Sequence, residues 1–171
     1  MTHPLHTASV PVFNQMLEAL SAILAKADAH CTDKKIDPTA LLQARLFPSM
    51  FALTRQVQIA SDFAKGVVAR MAGVEMPAYE DNEQTLADLQ ARIAKTLAFI
   101  NGVDAAKFTG SETREIVLMP GTARERRFPG QTYVLHYGLP QFFFHVTTAY
   151  DILRHNGVEL SKGDYMGKIP G

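Results

Sequence analysis

Apolar residues return every three or four positions along the start of the chain: Val10, Phe13, Leu17, Leu20 and Leu24, widened by Met16, Ile23 and Ala27. That period puts them on one face of a helix running from residue 2 to about residue 30. Pro4 suits its first turn, where a backbone N–H has no partner to lose. A polar connector follows. Asp37 is placed to cap a second helical region, with Pro38 at its first position. Pro48 predicts a kink or short break near Phe47, after which the helix resumes to about Met71 and stops at Gly73. Met50, Leu53, Val57, Ala60, Ala64, Val67 and Met71 form its stripe. Ile59 and Phe63 widen that stripe enough to place this helix at the centre of a bundle. A third helix is expected to open at Asn82 or Glu83. It carries Leu86, Leu89, Ile93, Leu97 and Ile100, and ends at Asn101-Gly102.

The pattern then changes. Residues 113–119 and 124–128 are short runs on either side of Pro-Gly-Thr-Ala, which reads as a β-hairpin. Two strands alone are marginal in water, so this hairpin must lie on helices. Pro129-Gly130 precedes a fourth helix, residues 131 to about 155. Pro140 cannot donate to the His136 carbonyl, which predicts a kink there. The tail, 158–171, is expected to pack on the surface. The reading is one all-α domain over residues 1–171, a four-helix bundle with a small β-hairpin between helices 3 and 4.

Composition narrows the function classes. The chain of 171 residues has 17 basic and 17 acidic side chains, so it lacks the cationic excess that phosphate-backbone binding needs. Arg124, Arg126 and Arg127 cluster, but they fit a solvated hairpin strand. No nucleic-acid partner is expected. No apolar run approaches the roughly 20 residues of a membrane span, and the N-terminus has no signal-peptide pattern. A lone cysteine, Cys31, permits no intrachain disulfide and suits a reducing cytoplasm.

Candidate chemistry gathers around His145. With His145 at 0° on its helix, Ala149 falls at about 40°, Phe142 at about 60°, Val146 at about 100° and Tyr150 at about 140°. His145 therefore sits at the edge of the apolar arc. Gln56 falls inside the apolar arc of the second helix, where its amide must find partners; a histidine or hydroxyl on a facing helix would serve. Gln58 and Asp62 share another face of that helix. Asp62 could orient a histidine ring, or pair with Arg55 or Lys65. His136, His145 and His155 are spaced too far apart in angle to converge on one ion. His3 and His6 could chelate only from a first turn that often frays. Cys31 lies near a helix C-terminus, where the dipole raises a thiol's pKa. No nucleophile elbow, P-loop or dinucleotide-binding glycine pattern occurs. Phe144, at about 260°, falls among polar residues and calls for cover by the hairpin, the tail or a second subunit.

The order helix, broken long helix, helix, hairpin, helix resembles the DinB/YfiT-like superfamily of four-helix bundles. Four stretches also resemble one bacterial family that carries a domain-of-unknown-function label: Arg55-Gln-Val-Gln-Ile-Ala-Ser-Asp-Phe-Ala-Lys65, Leu139-Pro-Gln-Phe-Phe-Phe-His-Val-Thr-Thr-Ala-Tyr-Asp-Ile-Leu-Arg154, Asn156-Gly157-Val158 and Gly163-Asp-Tyr-Met-Gly167. The superfamily resemblance implies a divalent metal, nickel or zinc, held by one histidine from the second helix and a His-x-x-x-His pair from the fourth. Thiol-dependent transferases or isomerases and homodimers are implied with it. Here His145 could stand for the first of that pair, but Ala149 occupies the second position, and the second helix from Pro48 to Met71 has no histidine. Two readings follow. One is an enzyme or binding protein with a small-molecule pocket near His145, Gln56, Gln58, Asp62 and Tyr150. The other is a non-catalytic dimeric bundle whose aromatic run is core and interface.

Overall fold

The computed structural model describes residues 3–170. Helix α1 spans Pro4–Lys34, so its expected start at Thr2 lies outside the described residues, and it continues a further turn past the expected end. Lys35 stops it in the left-handed conformation (φ 55°). One window of α1 is apolar enough by composition to cross a membrane, with mean hydropathy 1.2. Half of that window is buried inside the domain, and Phe13, Leu17, Leu20 and Leu24 are core, so its apolarity is that of a bundle helix.

Helix α2, Pro38–Leu42, is capped by Asp37, whose carboxylate accepts from the Thr39 N–H (2.9 Å). The interruption at Pro48 is longer than a kink. Residues 43–52 leave the helix, and Arg45 donates to the Pro48 and Met50 carbonyls (3.4 and 3.2 Å), satisfying the irregular backbone from one guanidinium. Met50 therefore lies outside the stripe of helix α3, Leu53–Ala72, which ends at a left-handed Gly73 (φ 65°). Fourteen of the 20 residues of α3 are buried, which is why it packs against all three other long helices.

Helix α4, Leu86–Gly102, begins later than Asn82 or Glu83 because Thr85 and Asp88 form a reciprocal capping box. A single 3₁₀ turn, Ala105–Phe108, leads to the hairpin: β1 Glu115–Leu118 and β2 Arg126–Pro129 pair antiparallel, with Ile116 opposite Phe128. The last long helix starts as α5, Gly130–Tyr133, widens into a π segment at Val134–Gly138, and continues as α6, Leu139–His155. The widened turn is how the chain absorbs the N–H that Pro140 lacks. Helix α7, Lys162–Met166, packs on α1: Gln15 donates to the Met166 carbonyl (2.7 Å) and Lys26 pairs with Asp164 (2.6 Å). The domain is thus a bundle of α1, α3, α4 and α5–α6, with the hairpin laid against one flank.

Candidate functional site

Buried Gln56 and buried His145 find each other across α3 and α6. The amide nitrogen of Gln56 donates to the Phe51 carbonyl (3.0 Å), so its oxygen faces the ring and accepts from His145 Nδ1 (2.7 Å). That fixes the neutral tautomer with the lone pair on Nε2. Phe63 stacks on the imidazole (6.0 Å between centroids) and Phe144 meets it edge-on (5.2 Å). Desolvation, followed by the Arg55 charge, pulls the His145 pKa down to about 4, so the ring is neutral near pH 7.

The superfamily's metal donors are not assembled here. Ala149 is buried where the second histidine of the pair would stand, and the Gln56 oxygen is already engaged. Among the described residues no group of three histidine, cysteine or carboxylate side chains is placed to hold a metal ion. Cys31 is also buried, and burial, then Asp28 and Asp37, push its thiol pKa up.

Gln58 and Asp62 join a second constellation that the sequence reading missed. Its centre is Arg92, whose side chain is fully buried (0% exposed). It donates to Glu83 (2.9 Å), to Asp62 (2.9 Å) and to Asp81 (3.0 Å). Gln58 bridges Arg55 and Glu83, while Arg55 also pairs with Asp81. Asp62 takes a further bond from Lys65 (2.9 Å) and makes none to a histidine among the described residues. Burial raises the pKa of Glu83, but hydrogen bonds from Arg92 and Gln58 outweigh it and hold the carboxyl below its ordinary value. The ammonium groups of Lys65 (3.7 Å) and Lys95 (4.0 Å) both lie over the ring of Tyr79. This network ties the segment between α3 and α4 to both helices. A signal did exist: Arg92 follows Leu89 by three residues on the apolar stripe of α4, and a cation there requires carboxylates.

Tyr150 lies apart from both groups. Its ring packs on Tyr165 of α7 (5.8 Å), whose hydroxyl is hydrogen-bonded to Thr147 (2.9 Å).

A cleft of about 410 Å³ opens between α3, the segment after it, the hairpin and α5. Phe63, Tyr79, Tyr133 and Tyr137 form its aromatic walls, and Leu118 and Met119 reach in from the hairpin. Lys65, Asp62, Asp81 and Arg70 supply its polar groups. Of the sequence candidates only Asp62 lines it. His145 is one layer behind, stacked on Phe63, which in turn meets Tyr137 (6.0 Å). Phe144, at 55% exposure, is covered by neither the hairpin nor the tail; Phe51 (56%) and Phe47 (64%) are exposed as well.

Comparison with known proteins accounts for the architecture. The family described as Domain of unknown function (DUF1993) matches residues 5–166. A crystal structure of a DinB family member protein from Shewanella denitrificans is similar over 98% of this chain and 94% of that one, with 41% identity and a TM-score of 0.91. No curated protein matches.

Proposed function

Because the chain belongs to the DUF1993 family and shares the helical architecture of a DinB family member, we propose that it is a small-molecule-binding bundle whose ligand sits in the aromatic cleft beside α3. The observation supporting this is the cleft itself. At about 410 Å³ it falls within the range of ligand sites, and apolar walls with a few polar groups are the usual composition of such sites. The buried network around Arg92 contributes rigidity, since it holds Asp62, Lys65 and Tyr79 in the cleft wall. The neutral His145 pair supports the Phe63 wall from behind.

A screen of fragment-sized aromatic compounds by ¹H–¹⁵N NMR tests this reading. Hits are expected to shift Arg70, Met119 and Tyr137 together. Met119→Trp, which fills the cleft from its exposed hairpin position, is expected to abolish the shifts. Shifts scattered over the surface, or unchanged by Met119→Trp, count against it.

The exposed rings favour a second, compatible reading as a homodimer. Phe51 and Phe144 flank the His145–Gln56 pair, and exposed aromatics grouped in this way are characteristic of interfaces. Light scattering at high micromolar concentration should give twice the 18.8 kDa chain mass, and Phe144→Asp should return the protein to a monomer. A wild-type monomer under those conditions removes the homodimer.

A further inference from the structure

Arg70 differs from the other charged groups of the cleft. Asp62 is bonded by Lys65 and Arg92, and Asp81 by Arg55 and Arg92, so each lining carboxylate is already compensated. Lys65 is compensated by Asp62 in turn. Among the described residues Arg70 makes no ion pair; its guanidinium donates once, to the Tyr133 hydroxyl (3.2 Å), leaving most of its five donors unused.

The backbone beneath it is shaped for that guanidinium. Arg70 folds back along α3 over Gly66, where an added Cβ would stand 2.6 Å from Nη1. Glycine leaves room for the planar group to lie against the helix, and a Cβ here would displace the guanidinium from that position. Tyr133 is 1% exposed, and burial pushes its phenol pKa up, so the hydroxyl stays protonated. Its oxygen accepts from Arg70, and its own proton has no acceptor among the described residues. The cleft therefore presents a guanidinium fork and an O–H donor side by side, next to apolar walls from Phe63, Tyr137, Leu118 and Met119.

We infer that the cleft ligand is an organic monocarboxylate with an aromatic or branched apolar body, its carboxylate on Arg70 and Tyr133 and its body against the hairpin and Phe63. This rests on the ligand-binding reading above and specifies the ligand class. A planar guanidinium matches a planar carboxylate by two parallel hydrogen bonds. A single unpaired arginine suits one negative charge better than a phosphate dianion.

Matched pairs decide it: 2-naphthylacetate against 2-naphthylacetamide, and 3-phenylpropionate against 3-phenylpropanamide, titrated by NMR into wild type, Arg70→Gln, Arg70→Lys and Gly66→Ala at pH 7. In wild type each acid should bind at least about tenfold tighter than its amide, the scale of one charge-assisted contact. Arg70→Gln should erase that difference by weakening the acid far more than the amide, and the amide shifts that remain in the cleft show that it is intact. Arg70→Lys should restore part of it, and Gly66→Ala should reduce it by displacing the guanidinium. If acid and amide bind the cleft equally, or if the preference survives Arg70→Gln, the carboxylate inference is overturned while the cleft remains a binding site. If neither class shifts the cleft, the ligand-binding reading falls and this inference with it.

Discussion

Gly130→Ala is expected to destabilise the domain by about 3 kcal/mol or more, the upper end of overpacking costs, because the obstacle is backbone. An alanine Cβ at 130 would lie 1.9 Å from the Ser111 carbonyl oxygen and 2.8 Å from the Met71 methyl. The methionine can move, but the carbonyl cannot. It accepts from the Arg114 N–H (3.3 Å), and the neighbouring Glu112 carbonyl accepts from the Gln131 N–H (3.0 Å). Arg114 in turn reaches the Met71 carbonyl at the end of α3. Shifting Ser111 would loosen the base of the hairpin and the cleft wall above it. Two other glycines give the scale. At Gly138 the added atom meets a side-chain methyl, Val67 Cγ2, at 2.5 Å, so Gly138→Ala should cost less, about 1–2 kcal/mol. At Gly102 it meets nothing within 4 Å, and Gly102→Ala should be neutral or stabilising by up to about 1 kcal/mol. Urea midpoints at constant m-value read all three. A Gly130→Ala protein within about 0.5 kcal/mol of wild type would contradict the argument.

What the sequence reveals here depends on the range of the interaction that matters. The four helices are legible because their stripes are local, and their ends are marked by Asp37-Pro38, Gly73 and Asn101-Gly102. The need at Gln56 was legible for a similar reason: an amide on an apolar face needs a partner, a histidine or hydroxyl, and the structure supplies His145. Pro48 announced a break but not its length, since Arg45 binds the freed carbonyls by folding over them. The start of α4 was misjudged by the weight given to Asn82 and Glu83; Glu83 is drawn away to Arg92. The cleft was hidden because its parts are local to nothing. Arg70, Tyr79, Met119 and Tyr133 come from four separate stretches, and only the packing of hairpin on helix brings them together. For Gln58 and Asp62 the sequence offered local partners, and Lys65 does bond Asp62, but Arg92 and Glu83 come from α4 and the segment before it.

Arg92→Met should destabilise the protein by about 3–5 kcal/mol, and Glu83→Gln added to it should recover a substantial part. The reason is asymmetry. A buried ion cluster gains little over apolar packing, because desolvation offsets its Coulomb attraction. Removing one member, however, leaves the others unbalanced. Here Arg92 is fully buried and Glu83 has a side chain only 5% exposed, while Asp62 and Asp81 are 36% and 41% exposed and keep Lys65 and Arg55 as partners. The uncompensated charge in Arg92→Met is therefore mainly Glu83, which explains why neutralising that one residue should help. The pH dependence carries the same logic with a change of sign. In wild type the Glu83 pKa is lowered, so its contribution is present above the unfolded value near 4.5 and fades as pH falls through the folded value. Without Arg92, burial raises it instead, and protonation on acidification relieves the penalty. His145, whose folded pKa of about 4 lies below its ordinary 6.5, makes the protein lose stability as pH falls from about 6.5 towards 4. That loss is common to wild type and variant and cancels in their difference. The stability deficit of Arg92→Met, measured by urea denaturation from pH 7 to pH 4, should therefore shrink on acidification. The double variant should show a smaller deficit at pH 7 and little further change. A deficit that is flat across this range, or a double variant no more stable than the single, would mean that Glu83 is not the charge Arg92 holds in place.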